Sequence, residues 1–581
     1  MLKTYAYPQF DYITPPQIVS GETLRVPVVI VGAGPVGLAA ALDLQLQGVP
    51  VLVLDEDDTV SIGSRGVCYA KRALEILDRY GVGDAVCNKG VSWNVGRTFF
   101  REQEVYNFNL VPEPDHHRPG MVNLQQYYLE EYLVHRAQQL PGIEMRWKSK
   151  VVGVTPSETG VALTVETPDG SYAVEADWLI AGDGARSPIR RMMGLEIEGK
   201  VFMDRFLIAD VVMAADFPAE RWFWFDPPFH PNQSVLLHKQ ADKVFRIDFQ
   251  LGWDADPEEE KKPEKVIPRI KAMLGAFDGN DREFELEWVS VYTFQCRRMT
   301  DFRHGRVLFV GDAAHQVSPF GARGANSGLQ DTDNLGWKLK LVMDGKASDA
   351  LLDSYSEERV FAADENIMNS TRSTDFITPK SRVSKTFRNA VLGLAKDHAF
   401  GRALVNSGRL SVPAFLTGSS LNTADVDTFS GRMLPGAPME DAPVQLVTNV
   451  PNADNVANAP VAGTDAWLLD QVGKEFCLLY FVNAVPSLSV EMSEIFHQLA
   501  LGPIPVRTLL VSATHGETID ATLKVPELTV LVDTKGVAAR RYDAKPGTAY
   551  LIRPDQHVTA RWRSVDAARV NAALARATCN A

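Results

Sequence analysis

Residues 27–55 read PVVIVGAGPVGLAAALDLQLQGVPVLVLD, and this stretch decides the fold. The β-branched run from Pro27 to Val31 predicts a short buried strand, the glycines after it predict a turn, and LAAALDLQLQG carries helical spacing. A second strand then ends at Asp55. Within the turn, Gly32 permits a tight reversal, Gly34 lets backbone approach a pyrophosphate, and Gly37 lets helix and strand pack closely; Pro35 belongs to the same binding turn. The start of the helix therefore faces phosphates. Asp55, 23 residues after Gly32, is placed to accept hydrogen bonds from ribose hydroxyls, with Glu56 beside it. A bare G-x-G-x-x-G is a weak signal, but flanking strands and a placed acid make it specific for a dinucleotide-binding α/β unit. This motif leaves open which dinucleotide binds, FAD or NAD.

Two later motifs decide between them. Residues 176–190, ADWLIAGDGARSPIR, run from an apolar strand into Asp183 and Gly184. Residues 306–342, RVLFVGDAAHQVSPFGARGANSGLQDTDNLGWKLKLV, bring Gly311 and Asp312 to a turn, where a carboxylate can bind a ribityl or ribose hydroxyl. Beyond Pro319, a glycine-rich loop from Gly321 to Gly324 opens a long helix. Reduced flavin carries negative charge along its N1 and C2-carbonyl edge, and free amides at a helix start stabilise an anion. Gly324, Ala325 and Asn326 supply such amides, which selects FAD.

In this order, the three motifs resemble the para-hydroxybenzoate hydroxylase and phenol hydroxylase family of single-component FAD-dependent monooxygenases. The resemblance covers roughly the first 400 residues. It implies that Gly32, Gly34, Gly37 and Asp55 hold the ADP part, that Asp312 binds the ribityl chain, and that Asp183 serves both FAD and nicotinamide. Arg65, in GSRG, and Gln126, in QYYLEEYL, stand where the family places FAD contacts. It further implies that NADH or NADPH reduces the flavin from a transient surface site. Oxygen then adds at flavin C4a, and the hydroperoxide attacks an electron-rich phenolic ring.

Between Gly199 and Met299 the pattern changes to strands, FLIADVVM, RWFWFD, SVLLHKQ, KVFRIDFQL and FELEWVSVYTF, interrupted by the charged stretch DADPEEEKKPEK. An antiparallel sheet laid over the flavin is expected. From Val244 to Gln250, Phe245, Ile247 and Phe249 share one face while Arg246, Asp248 and Gln250 share the other, so one face can roof a pocket. Tyr292 is the leading substrate contact, because its segment precedes the Gly-Asp motif as a tyrosine-bearing strand does in the similar phenol hydroxylase. His238 and Arg246 can bind a phenolate or carboxylate, and Pro319 heads a loop that keeps the pocket dry. The acid that phenol hydroxylase carries before its first long helix is missing; Gly66, Val67, Cys68 and Tyr69 stand there, so the sequence assigns no residue to deprotonate the substrate. Trp222 and Trp224 superficially resemble a halogenase signature, but Asp226 breaks it and alternating tryptophans fit one face of a strand.

After about Gly431 the chain reads PGAPMEDAPVQLVTNVPNADNVANAP, a linker pattern; FCLLYF, RTLLVSA, LTVLVD and GTAYLIRPDQHVTARW then read as strands before a final helix. The order resembles the thioredoxin-like C-terminal domain of larger family members. Where a redox thioredoxin has two cysteines this chain has VNAVPS, so dithiol exchange is not expected and the domain is read as structural, packing against a second subunit. The expected fold class is α/β: a Rossmann-like, glutathione-reductase-type FAD domain, an interleaved β-sheet substrate domain and a C-terminal thioredoxin-like domain. Its segments are 1–198 and 300–430 for FAD, 199–299 for substrate, and 431–581 for linker and tail.

A net charge of −14, a pI near 5.4 and no run of Lys and Arg argue against nucleic acid as a partner. No apolar stretch reaches the roughly 20 residues that span a bilayer, and the N-terminus lacks a signal core, which points to the cytoplasm and away from membranes. The five cysteines form no C-x-x-C pair and no zinc spacing, so no metal is expected. Together these readings describe a homodimeric FAD-dependent monooxygenase that uses NADH or NADPH and O2 to hydroxylate a small aromatic substrate. Its rivals are other flavoprotein chemistry, halogenation or dehydrogenation, and a non-catalytic FAD-binding protein.

Overall fold

A computed structural model describes residues 2–63, 65–278, 283–406, 410–447, 463–484, 488–514 and 528–580. The chain divides into two compact units. The first takes Met1–Pro112, Pro119–Thr332 and Ala363–Val412; the second takes Glu113–Arg118, Asp333–Ala362 and Pro413–Ala581.

In the first unit, strands Val307–Phe309, Gly170–Ala181, Leu24–Val31, Val51–Leu54 and Ile143–Arg146 lie side by side in parallel. Val28, Val29 and Ile30 are fully buried, as a central parallel strand covered on both faces requires. The helix Pro35–Leu46 is buried from Gly37 to Leu44, which explains its almost continuous apolar run. Register decides what comes next. Val31 pairs with Leu54 and Ala181, and Ala181 pairs with Phe309, so the turns at Gly32, Asp55, Gly182 and Gly311 leave one edge of the sheet together. In sheets of this kind ligands bind beyond the carboxyl ends of the strands.

A second sheet in this unit runs in the order His315–Gln316, Phe284–Arg298, Glu198–Met213, Val244–Leu251, Ser234–Lys239, Arg221–Phe225, Val95–Phe100 and Gln103–Asn109. It is therefore not confined to residues 199–299, nor wholly antiparallel: Val95–Phe100, assigned by sequence to the FAD segment, pairs in parallel with Arg221–Phe225. That pairing joins strands far apart in the chain, which local patterning does not reveal. The charged stretch after Asp254 forms helices. Asp256 caps Pro257–Glu260 through the Glu258 N–H, and the following helix, Pro263–Asp278, lays Val266, Ile270, Met273 and Leu274 against the sheet.

The second unit holds a sheet ordered Gly463–Trp467, Pro443–Val447, Thr529–Val532, Val506–Ser512, Phe476–Val482, Ala549–Ile552, Val558–Trp562. Strand Phe476–Val482, helix Val490–Ala500 and strand Val506–Ser512 make a βαβ unit, followed by the hairpin Ala549–Ile552 and Val558–Trp562 and the helix Ala567–Ala577. This is the thioredoxin arrangement with added edge strands. Phe476, Leu478 and Tyr480 face Phe496 and Val570, while Cys477, Leu479 and Phe481 face Met433 and Tyr542. Both faces are covered, so the strand is apolar throughout. The stretch read as a linker is partly sheet, since Pro443–Val447 pairs with strands on both sides; its continuation over residues 448–462 lies outside the described residues. Of the VNAVPS segment, Val485, Pro486 and Ser487 also lie outside them.

A buried charge network occupies the second unit. The Glu358 carboxylate accepts from Arg553 at 2.6 and 3.0 Å, from Lys338 and Asn334 at 2.7 Å each, and from the Ser419 hydroxyl at 2.5 Å. Burial alone would raise the pKa of this carboxyl, but Arg553 and Lys338 hold it well below the usual range. Removing one member leaves its partners charged and dry. Glu358→Ala is therefore expected to lower stability by about 3–5 kcal/mol, read from chemical denaturation; a loss under about 1 kcal/mol, the value of a surface pair, would contradict this view of the network.

Candidate active site

The first turn is built by contact. Gly32 has φ +104°, and a β-carbon there would press on the Gly182 carbonyl; one at Gly37 would collide with the Gly32 carbonyl, so helix and strand meet only because both residues lack side chains. Gly34 differs. A β-carbon at Gly34 would meet no protein atom within 4 Å, so packing does not require the glycine there, and the cradle it leaves suits a pyrophosphate at the start of the Pro35 helix. Asp55 accepts from the Ala33 N–H at 2.5 Å and the Asp57 N–H at 2.8 Å, and burial lifts its carboxyl to about 6. Glu56 points elsewhere, pairing with Lys150 at 2.9 Å on the surface.

The second and third motifs are bolted together. Arg190 donates to the carbonyls of Ala313 at 2.6 Å and Ala185 at 3.1 Å, and Gln316 donates to those of Ala185 at 2.7 Å and Asp312 at 3.3 Å. Asp183 caps the short helix Pro188–Met192 through the Ile189 N–H at 2.9 Å, while its other oxygen is buried without a partner. Gly311 donates to Asp331 at 2.9 Å, and His315 shares the same oxygen at 2.6 Å. Asp312 is accessible to solvent yet densely surrounded, the condition of a group on the floor of a cleft. That crowding raises its pKa, with His315 opposing. A β-carbon at Gly324 would lie 3.8 Å from Asp312 Oδ1, and Val36 of the first turn fits between Gly311 and Gly328. All three motifs thus converge.

At the far end, the helix Gly324–Met343 begins after a loop in which Gly321 and Ala322 have φ +124° and +52°. Its first amides, those of Gly324, Ala325 and Asn326, precede any intrahelical acceptor. The Asn326 side chain is a strap: it accepts from the Ala70 N–H at 2.7 Å and donates to the carbonyls of Cys68 at 2.8 Å and Ala322 at 2.5 Å. Gln126 likewise positions a loop, accepting from Gly66 N–H at 2.8 Å and donating to Glu130 at 2.7 Å. That loop presents Arg65 to solvent. Burial pushes the Tyr292 hydroxyl up to about 12, Asp312 adds to the shift and Arg65 opposes it, so the three groups share one cleft.

The polar face of the second sheet turns towards this cleft. Cross-strand pairing lines up Arg221, His238, Arg246, Asp210 and Trp288 in one row, and Phe223, Leu236, Asp248, Ile208 and Ser290 in the next. Phe206 and Tyr292 pair in the row beyond. A β-carbon at Gly63, in the Arg65 loop, would overlap the Trp288 ring, which ties this face to the cofactor loops. Phe320, next to Pro319, stacks edge-on against Phe206 and Phe294 with ring centres 5.0 Å away. The opposite face, with Phe245, Ile247, Phe249 and Trp224, packs on the Pro263 helix. The paired tryptophans therefore serve packing.

Among the four candidate substrate residues, Tyr292 and Pro319 are accessible. Arg246 is buried and clamped bidentately to Asp210 at 2.9 and 3.1 Å, so its guanidinium is committed to the sheet and not presented to a ligand as the sequence reading expected. His238 is buried, its Nδ1 has no partner, and burial lowers its pKa well below the usual value. Arg221 and Asp248 were not singled out by sequence. Asp248 already lay on the polar face read from alternation, and Arg221 opened a strand read correctly, but nothing local showed which groups would border it.

A parallel sheet with three turns converging beside a mixed, aromatic-rich sheet defines a flavoprotein oxidoreductase, and the open cradle at Gly34, the orphaned Asp183 oxygen and the free helix start fit FAD. Residues 25–370 match the FAD binding domain model, and the chain belongs to that family of flavin monooxygenases. It is 27% identical over 541 residues to 3-(3-hydroxy-phenyl)propionate/3-hydroxycinnamic acid hydroxylase of Mycolicibacterium smegmatis, covering 91% of this chain and 89% of that protein. It is 29% identical over 341 residues to para-nitrophenol 4-monooxygenase of Pseudomonas sp. strain WBC-3, covering 57% and 82%. The fold is similar to the flavin-dependent monooxygenase PieE in complex with FAD and substrate, with TM-score 0.75, 22% identity and 96% and 100% coverage.

Two outcomes are expected at this site. Asp312→Ala should weaken FAD binding about tenfold to a hundredfold, the worth of one charge-assisted hydrogen bond, by fluorescence titration of the apoprotein; unchanged affinity would remove Asp312 from the site. An ionised Asp55 accepts from two hydroxyls and a protonated one does not, so FAD affinity should fall as pH drops through about 6. Asp55→Asn should abolish that dependence, and a dependence surviving in the variant would contradict the role.

Proposed function

We propose that this chain hydroxylates a small phenolic substrate, using NADH or NADPH and O2 with FAD as its cofactor. The observation that carries this reading is Phe320. It belongs to the loop that opens the Gly324 helix, and its ring is packed into the aromatic face of the second sheet, so an aromatic ring lying on that face would sit beside the amides that serve the flavin. The relatives named above act on hydroxylated arylpropionates and on a nitrophenol, and a phenol is the group they have in common.

Gly32, Gly34, Pro35 and Gly37 are assigned to the pyrophosphate, Asp55 to ribose, Asp312 to the ribityl chain, and the amides of Gly324, Ala325 and Asn326 to the anionic edge of the reduced ring. Asp183 is assigned to FAD and nicotinamide, and Arg65 to FAD. Bound FAD supplies hydride acceptance from the nicotinamide and, once reduced, activation of oxygen for transfer to the ring. The chain's own contribution is to position and to keep dry: Tyr292 and Phe206 orient the substrate, and Phe320 and Pro319 close the aromatic face against water.

Two finer readings follow from the sequence. The C-terminal unit is assigned to pairing with a second copy of the chain, so light scattering should return a dimer. The five cysteines are all unpaired, which together with the need for reduced nicotinamide assigns the protein to the cytoplasm. The test of activity is direct. Purified holoprotein should consume NADH or NADPH faster when given 3-(3-hydroxyphenyl)propionate, 3-hydroxycinnamate or 4-nitrophenol, with hydroxylated product matching the nicotinamide consumed. If no phenol stimulates consumption, or only peroxide forms, the reading fails.

A further inference from the structure

The sheet face beside the cofactor loops contains a carboxyl with no structural duty. Asp248 pairs across the sheet with Leu236 and Ile208, both apolar, and one of its oxygens is buried without a hydrogen-bond partner. The residue as a whole stays partly accessible, like Asp312, and Ile208 and Ser290 in the same row are partly accessible too. From there the accessible surface leads to Tyr292, one row nearer the Asp312 cleft. On the other side stands Cys68, whose carbonyl is held by the Asn326 strap at the start of the flavin-serving helix. The carboxyl lies between the aromatic face and that helix.

The charges around it are few and can be named. Its own strand contributes Arg246, which Asp210 on the next strand neutralises through two hydrogen bonds. The strands beyond contribute His238, neutral because burial drives its pKa far down, and Arg221, whose pKa burial lowers to about 10 and which is therefore still charged. Trp288, Ser290 and Tyr292 lie in these rows on the far strand, and Cys68 faces it from Cys68–Ala70, its thiol raised by burial to about 12.

We infer that Asp248 is the base that takes the ring-hydroxyl proton of the substrate. The proposal rests on the reading of this protein as a phenol hydroxylase. In the step, the substrate O–H bond breaks, an O–H bond forms on the Asp248 carboxylate, and the electron pair stays on the phenolic oxygen, enriching the ring for oxygen transfer. The net charge of the face and substrate together is the same before and after, so the transfer creates no unbalanced charge in a dry site. The carboxyl is tuned for proton transfer near neutral pH, since burial raises it to about 7 while Arg246 and Arg221 pull it down and Asp210 pushes it up. Cys68, the thiol beside it, holds its proton too tightly to serve as the base.

The experiment compares wild-type holoenzyme with Asp248→Asn, using 3-(3-hydroxyphenyl)propionate, whose phenol ionises well above pH 7. In the wild type, kcat/KM should rise with pH through about 7 and level off. In the variant, with FAD content unchanged, that inflection should vanish; kcat/KM at pH 7 should be about 100-fold lower and should recover at high pH as the phenol ionises unaided. A variant with the wild-type profile and rate overturns the proposal. If the substitution prevents folding, bound 3-(3-hydroxyphenyl)propionate decides the matter in the wild type: a phenolate absorption band at about pH 8, where the free phenol is protonated and Asp248 ionised, supports the assignment, and a neutral bound phenol overturns it. Absence of turnover by the wild type would instead fault the functional reading, whereas the spectrum of the bound probe reports on Asp248 by itself.

Discussion

The alignment of Val31 with Leu54 and Ala181, and of Ala181 with Phe309, is the constraint on which the site depends. A one-residue slip in any of these parallel pairs would exchange the faces of the strand and pull a motif away from the sheet edge. With the register fixed, three turns separated by more than a hundred residues of chain meet where Val36 fits between Gly311 and Gly328. Two helix starts then border one cleft, at Pro35 and Gly324, each suited to an anion: phosphates at one and the reduced ring at the other.

The parts of this arrangement that sequence revealed are those with local causes. A β-branched run, a glycine turn and an acid at the right distance specify strand, turn and ribose acceptor within 29 residues, from Pro27 to Asp55. Alternation along Val244–Leu251 separated Phe245, Ile247 and Phe249 from Arg246, Asp248 and Gln250, and the structure packs the first set on a helix. What sequence concealed depends on partners remote in the chain. Arg246 reads as a ligand-binding cation until the neighbouring strand supplies Asp210, and residues 95–109 give no hint that they will extend a sheet built from strands a hundred residues later. Gln126 reads as a cofactor contact, yet its side chain braces the loop that carries Arg65; Asn326 reads as an amide donor, and its side chain has the further task of bracing Ala322. Proline- and asparagine-rich composition around residue 443 reads as linker because the strand there is an edge-proximal one of five residues, too short to show a period.

The second sheet separates two demands by parity. Odd-numbered positions of Val244–Leu251 supply cohesion against the Pro263 helix, and even-numbered ones line up polar groups on the face bordering the cofactor loops. Burying Arg221, Arg246, Asp210 and His238 together is costly unless charge is compensated; Asp210 neutralises Arg246 through two hydrogen bonds, and Asp248, one row away, is the carboxyl assigned to the substrate. A stable framework and a responsive carboxyl coexist on one face because adjacent rows of the sheet divide the work between them.

The convergent turns are held to bind FAD with its pyrophosphate at Gly34 and its ring against the Gly324 helix start. A crystal structure of the FAD-reconstituted protein tests this most directly. Phosphate oxygens are expected at the amides following Gly34, the ribityl chain at Asp312, and the ring's N1 edge at the amides of Gly324 to Asn326. Flavin bound elsewhere, or with its ring turned away from that helix start, would contradict the assignment.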